Sequence, residues 1–261
     1  MSGHQAAVLI TGASSGIGAA YADRFARRGH DLVLVARDEA RMQVLASHLM
    51  GETGTAIDVL KADLTSAADL MHVETRLRED ERIGVLVNNA GMAASGSFSD
   101  PDLDSIEKVI RLNILALTRL TGAVIPRYIR QGIGAIINIG SVVALAPELP
   151  LGAYGASKAY VLALSQNLQF ELGNQGIYIQ AVLPGATRTE IWERSGRDVN
   201  ALPGVLDVNE VVDAALDGFD RHEAVTLPAL SDLSSWLAFE GARRALVPNL
   251  EEAHVLRHAV S

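Results

Sequence analysis

The sequence predicts an α/β fold: a doubly wound parallel sheet of about seven strands with helices on both faces. Three observations lead there. Short runs of Val, Ile and Leu alternate with longer helical segments from Val8 to Leu227. Those runs are continuously apolar rather than alternating, as in strands buried on both faces. Nearly every gap between them can hold a helical crossover, and right-handed crossovers between parallel strands place helices on either side of a sheet.

Val8–Ile10 is the first strand, and Ile17–Arg28 a helix that stops near Gly29. Leu32–Val35 and Glu39–Met50 form the next strand and helix, and Thr55–Leu60 and the charged run Ser66–Glu81 the pair after that. Val85–Val87 is the fourth strand, followed by a long helical stretch from about Asp102 to Arg130. Gly134–Ile139 is the fifth strand, Tyr154–Leu172 a helix and Ile177–Leu183 the sixth strand. The pattern then weakens. Thr187–Leu206 mixes Arg, Gly, Asn and Pro and reads as a substrate lid, with a short helix over Glu190–Ser195 as the alternative. Val208–Arg221 is helical, Ala224–Leu227 is a seventh strand, and the tail from Ser231 is one or two helices with Trp236, Leu237 and Phe239 near an apolar face. No linker or repeat interrupts residues 1–261, so one domain is expected.

Composition narrows the function. A net charge of -9 disfavours nucleic acid or an anionic membrane as main partner, since either attracts a basic surface. The chain has 0 cysteines, which excludes disulfides and thiolate metal sites and fits a reducing, cytoplasmic setting. The start Met1–Gln5 lacks a basic signal-peptide region, and no run is expected to be long enough to span a membrane. The 7 histidines form no HExxH or other ligand spacing, so no metal is expected.

Four motifs carry chemistry. Thr11 to Gly18 joins the first strand to the first helix, with Gly12, Ser14, Ser15, Gly16, Ile17 and Gly18 in a G-x-x-x-G-x-G spacing. Glycines there let the backbone turn tightly against a pyrophosphate, and the helix start offers unpaired N–H groups. At the end of the second strand, where a dinucleotide fold reads the adenosine ribose, stand Arg37 and Asp38. An arginine there pairs with a 2′-phosphate, which points to NADP(H), with NAD(H) as the alternative. Asp38 reads as an N-cap for the next helix. Asn88-Asn89-Ala90-Gly91 ends the fourth strand with residues small enough for a cofactor to lie against. In Tyr154-Gly155-Ala156-Ser157-Lys158, the tyrosine and lysine share one helix face, and the ammonium biases the phenol toward phenolate. Ser141 and Asn113 precede this pair.

In order and spacing these motifs, together with Pro184-Gly185, resemble the short-chain dehydrogenase/reductase family from Val8 to about Thr189. The resemblance implies a Rossmann-type sheet and gives roles to matching positions. Tyr154 is the acid/base. Lys158 holds the nicotinamide ribose and lowers the tyrosine's pKa. Ser141 bonds the substrate oxygen, and Asn113 holds a water behind Lys158. Asp63 and Leu64 lie by the adenine; Asn89, Ala90, Gly91, Pro184 and Gly185 flank the cofactor; Thr187 and Thr189 contact its carboxamide end. The glycine turn carries Ser14 and Ser15 where NADP-preferring relatives often carry a basic residue, so the NADP expectation rests on Arg37. The implied activity is interconversion of an alcohol and a ketone or aldehyde. Candidate pocket residues are Ala93, Ala94, Val142, Val143, Leu149 and Trp192. A nucleotide-sugar epimerase or dehydratase and a catalytically silent dinucleotide sensor or scaffold are the competing readings; the presence of Ser141, Tyr154 and Lys158 weighs against the silent one. A homo-oligomer, tetramer or dimer, is expected from the family and from the row Tyr160, Leu164, Leu168, Leu172, which suggests a partner beyond the sheet.

Overall fold

The computed structural model describes residues 5–93, 96–97, 100–190, 198–202 and 204–248. They group into two compact units, one ending at Ala229 and the other beginning at Leu230.

The larger unit is a 7-stranded sheet in the order β3-β2-β1-β4-β7-β8-β9. Its strands are β1 (Ala7–Thr11), β2 (Leu32–Ala36), β3 (Ile57–Lys61), β4 (Ile83–Asn88), β7 (Gly134–Ile139), β8 (Ile177–Val182) and β9 (Val225–Thr226). Every pairing in it is parallel. Residues of β1, β2 and β7 are buried throughout, which accounts for their unbroken apolar runs. Two cores sit on opposite faces. On one, Tyr21 and Phe25 of α1 (Gly16–Arg27), Met42 and Leu49 of α2 (Glu39–Thr53) and Leu216 of α7 (Val208–Asp220) pack together. On the other, Leu77 of α3 (Ala67–Glu79), Leu120 and Tyr128 of α5 (Leu117–Gln131) and Leu172 of α6 (Gly152–Leu172) do so. The chain starts at β1, winds outward to β3, then crosses back to β4 on β1's other side. The crevice at the carboxyl ends of β1 and β4 is therefore the topological switch point, where such sheets bind ligands.

Several expectations are corrected. The long helical stretch after β4 runs unbroken from Leu103 to Gln131 but is not α-helical throughout: α4 (Leu103–Ile110) passes into a π-helical turn, Arg111–Ala116, before α5 begins. Between β4 and α4, β5 (Gly96–Ser97) and β6 (Asp100–Pro101) pair antiparallel, too short to leave a sequence signal. The run Leu103–Gln131 is long and apolar enough to cross a membrane by length and composition, contrary to expectation. Its Leu120, Val124 and Tyr128 are core residues of the sheet's second face. Half of the row on α6 belongs to the core: Leu172 is in it and Leu168 packs on it, while Leu164 is partly buried and the Tyr160 hydroxyl meets Thr118 Oγ1 at 2.8 Å. Phe170, 88% exposed, is the large apolar residue on that helix facing outward.

The two ends of the expected lid are stitched together. Thr187 bridges to Leu206, the Arg188 N–H donates to the Leu206 carbonyl (3.0 Å), and the Leu206 N–H donates to the Ala186 carbonyl (2.8 Å). Residues 191–197 and 203 of that segment, with Trp192 and most of the alternative short helix, lie outside the described residues, as does Ala94. In the second unit, α8 (Ser234–Ala245) buries Trp236, leaves Leu237 and Phe239 exposed, and pairs Arg243 with Glu240 at 2.8 Å.

Candidate active site

At the switch point the glycine turn is shaped by exclusion. Gly12 and Gly16 have φ of +66° and +55°, the left-handed region that glycine enters without strain. A β-carbon on Gly18 would strike the Gly12 carbonyl and stand 2.5 Å from Asn89 Nδ2. The turn is locked to β4 from the side. Thr11 Oγ1 donates to the Val87 carbonyl (3.2 Å) and accepts from the N–H groups of Asn89 and Ala90 (both 3.0 Å). Asn89 Nδ2 donates to the carbonyls of Thr11 and Gly12 at 2.9 and 3.1 Å. Ser15 begins α1 without a side-chain cap, which leaves the first-turn N–H groups open to an anion. The cradle that a β-carbon would fill and the uncapped helix start together fit a dinucleotide pyrophosphate. Thr189 reaches the same place: its Cγ2 would lie 3.2 Å from a β-carbon on Gly16. Gly16 and Thr189 also line a cavity of about 740 Å³ with Arg188, Asn200 and Asn209.

At the end of β2, Arg37 is exposed and makes no hydrogen bond or ion pair to another described residue. Asp38 is committed, as expected, to capping α2: its carboxylate accepts from the Arg41 N–H at 3.1 Å and lies 3.4 Å from Arg41 Nε. Arg41 also reaches Glu190 at 2.6 Å. Asp63 accepts from the N–H and hydroxyl of Thr65 at 2.9 and 2.7 Å. Partial burial pushes its pKa up, but the Thr65 bonds and the charge of Arg37 outweigh this and hold it below the usual carboxylate value. Leu64, next to it, is a core residue.

The second face is made of side chains. Ser141 follows β7 and starts a short 3-10 turn, Val142–Leu145. Tyr154 lies in the first turn of α6 and is half-buried, while Lys158, one turn on, is buried. Lys158 Nζ donates to the Ile139 carbonyl at 2.8 Å and lies 5.8 Å from the centre of the Tyr154 ring. The expected lowering of the tyrosine's pKa by the lysine is not found. Burial, the larger influence, raises it, and the nearby Ser141 hydroxyl opposes that rise. Burial also lowers the Lys158 pKa to about 8. Ammonium and phenol thus both sit in surroundings that disfavour charge.

Asn113 lies in the π-turn, a distortion that frees backbone groups and recurs at functional sites. Its side chain is fully engaged: Oδ1 accepts from the Met92 N–H (2.9 Å), and Nδ2 donates to the Met92 carbonyl (2.9 Å) and Ser157 Oγ (3.0 Å). Any water held there is left to its backbone. Gly91 faces this group, since a β-carbon on it would stand 3.5 Å from both Asn113 Oδ1 and Lys158 Nζ. Pro184 is buried at the end of β8, and its carbonyl accepts from Ser141 Oγ at 3.4 Å. Ala93, Val142 and Val143 are partly buried and Leu149 is 47% exposed. Two contributors had not been singled out. Thr11 was visible only as the first residue of the glycine turn, and Ser157 as a filler between Tyr154 and Lys158.

Comparisons with known proteins agree with this arrangement. A family profile described as "short chain dehydrogenase" matches residues 6–200. The chain belongs to the short-chain dehydrogenase family. A very-long-chain 3-oxoacyl-CoA reductase of Anas platyrhynchos is 35% identical over 70% of this chain, a match that spans only 60% of that relative. A short-chain dehydrogenase of Sphingobium yanoikuyae, solved in complex with NADPH, is 59% identical over 98% of this chain and 100% of its own, with a TM-score of 0.95. A bulky-bulky ketone specific alcohol dehydrogenase of Comamonas testosteroni is 54% identical over 99% and 100%, with a TM-score of 0.91. This family member is an NAD(P)-dependent oxidoreductase acting on CH–OH groups.

Proposed function

We propose that the protein interconverts secondary alcohols and ketones with bulky groups on both sides of the carbonyl, with NADP(H) preferred over NAD(H). The observation that carries the reaction is the meeting of Tyr154 and Lys158 at the switch point, the buried Lys158 ammonium 5.8 Å from the centre of the Tyr154 ring, with the Ser141 hydroxyl near enough to oppose the upward shift of the tyrosine's pKa. The NADP preference is supported by Arg37, which bonds to no other described residue at the end of β2 and stands beside an aspartate already committed to its helix. It is also supported by the NADPH complex of the Sphingobium relative. The substrate class is supported by the ketone specificity named for the Comamonas enzyme.

The residues fit the cofactor as follows. The glycine turn and the start of α1 hold the pyrophosphate, with Thr189 beside Gly16. Arg37 takes the 2′-phosphate, Asp63 lies on the adenosine side, and Lys158 holds the nicotinamide ribose. When bound, the nicotinamide supplies or accepts the hydride. Ser141 and Tyr154 both donate to the substrate oxygen, where negative charge grows during reduction, and Tyr154 gives it a proton. Burial suits the tyrosine to that direction, because it keeps the phenol protonated. In oxidation Tyr154, as the phenolate, accepts the alcohol's proton while Ser141 holds the oxygen by a hydrogen bond. The protein is cytoplasmic and assembles as a homotetramer, a reading supported by the exposed Leu103, Ile110, Leu115 and Phe170. A monomer mass by light scattering at micromolar concentration would end the tetramer reading.

The test is a panel of aryl ketones with short and long alkyl arms, acetone and steroid ketones, each assayed with NADPH and NADH. Bulky aryl ketones turned over fastest with NADPH support the proposal. Preference for acetone or for NADH overturns the corresponding part, and inactivity on every compound favours the silent sensor.

A further inference from the structure

We infer that Ser157 is a positioning residue for Tyr154, acting through one hydroxyl that ties the start of the catalytic helix to the π-turn carrying Asn113. The inference rests on the reading of Tyr154 as the proton donor. Tyr154 sits where a helix is least secure. Leu151, the N-cap of α6, provides no side-chain cap, and Gly152 enters with φ +49°. The N–H groups of Tyr154 and Gly155 share one acceptor, the Leu151 carbonyl, at 3.1 and 3.4 Å. First-turn residues otherwise lack intrahelical partners for their N–H groups.

Ser157 answers this from the side. It is buried at 0% exposure, its Oγ donates to the Tyr154 carbonyl at 2.7 Å, and it accepts from Asn113 Nδ2 at 3.0 Å. The direction of these bonds is fixed. Asn113 Oδ1 accepts from the Met92 N–H, so the amide cannot be turned round without losing that bond, and Nδ2 must be the donor. The hydroxyl's single proton is then left for the Tyr154 carbonyl. A relay of bonds therefore runs from the Met92 backbone through Asn113 and Ser157 to the backbone of Tyr154. It joins the loop after β4, the π-turn and the catalytic helix, three segments distant in sequence.

The plain alternative is that Ser157 merely satisfies itself on the carbonyl one turn back, a common habit of buried helical serines. The two readings separate experimentally. Ser157→Ala keeps a good helix former, so folding is expected to survive, with a melting temperature near that of the wild type. On the positioning reading, kcat for the best ketone of the panel falls about tenfold to a hundredfold, as for a reacting group slightly misplaced. The NADPH Kd, read by the cofactor's fluorescence, and the ketone KM stay within about twofold. Ser157→Thr, which keeps the hydroxyl, regains most of kcat. Wild-type kcat in Ser157→Ala, or a parallel loss of kcat and NADPH affinity, overturns the inference. Should the alanine variant fail to fold, Ser157→Cys keeps the shape and weakens both bonds. Lowered kcat with unchanged NADPH affinity is then expected, and wild-type kcat overturns the inference. Tyr154→Phe, assayed alongside, separates the failures. Turnover by that variant removes the proton-donor reading itself. A dead Tyr154→Phe with a wild-type Ser157→Ala removes only the role of Ser157.

Discussion

The two faces of the crevice are built in different ways. The glycine turn, Thr11 to Gly18, is held by what cannot be there: a side chain at Gly18 would occupy the space of the Gly12 carbonyl and the Asn89 amide. The other face is held by what is there, since Ser141, Tyr154, Lys158, Asn113 and Ser157 are placed by side-chain bonds and burial. A face defined by exclusion fixes backbone N–H groups and serves binding. A face defined by side-chain bonds places protons and serves chemistry. Substitutions should therefore divide cleanly, with binding lost on one side and turnover on the other.

The sharpest break of that division is Tyr154→Phe. The ring and its packing remain and only the hydroxyl leaves. General acid catalysis contributes about 10²–10⁴-fold, and kcat is expected to fall by that much while NADPH Kd hardly moves. Steady-state rates and a fluorescence titration decide. Turnover within about threefold of wild type would show that the proton comes from elsewhere.

On the opposite face, Arg37→Ala should leave kcat at saturation nearly unchanged and weaken NADPH by about ten- to a hundredfold, the loss of one charge-assisted pair at a partly open site. NADH affinity should not change. Equal losses for both cofactors would mean that Arg37 supports the turn rather than reads the phosphate.

Much of this was legible because the relevant signals are local. Continuous Val/Ile/Leu runs announce parallel strands wherever both faces are covered, and β1, β2 and β7 are covered along their whole length. The glycine turn announces itself because a positive φ at Gly12 and Gly16 restricts residue type. What was not legible depends on three-dimensional partners. The π-turn inside Leu103–Gln131 leaves the apolar pattern of a continuous helix intact. The row on α6 looked surplus because sequence spacing does not say which stripe meets the sheet, and Leu172 turned out to be core. The direction of the Tyr154 pKa shift was missed because i, i+4 spacing brings Lys158 to the same face but does not report how deeply the phenol is buried, which is the larger influence on it.

Lys158 sharpens the comparison through pH. Burial lowers its pKa to about 8, so the ammonium is present below that pH and lost above it. If the charge holds the ribose and supports the developing oxyanion, kcat/KM for reduction should be flat below about pH 8 and fall by up to about tenfold per pH unit beyond it. Stability should respond with the opposite sign. The unfolded lysine titrates near 10.5, so between about 8 and 10.5 the unfolded chain binds more protons, and this residue favours the folded state increasingly as pH rises. Lys158→Arg keeps a charge that does not titrate in this range and should remove the alkaline fall, at whatever absolute rate it retains. A fall that persists unchanged in that variant would assign it to another group.

The smallest effect concerns Asp38, the acidic neighbour that by itself argues for NAD. Its carboxylate accepts from the Arg41 N–H at 3.1 Å and lies 3.4 Å from Arg41 Nε. It therefore meets the cofactor already capped and partly neutralised. Removing the guanidinium by Arg41→Ala leaves the cap's backbone bond but bares the charge next to the 2′-phosphate site. NADPH should weaken and NADH should hold or improve slightly. Both side chains are about half exposed, 51% for Arg41 and 49% for Asp38. Solvent screens such pairs to roughly 0.2–1 kcal/mol, which limits the change in the NADPH-to-NADH affinity ratio to about five-fold. Asp38→Asn in the same background should restore the ratio, because the asparagine still caps the helix and brings no charge. Isothermal titration of both cofactors to the single and double variants reads this directly. A ratio that does not move in Arg41→Ala, or that Asp38→Asn fails to restore, would mean that Arg37 alone sets the preference and that Asp38 is nothing more than a helix cap.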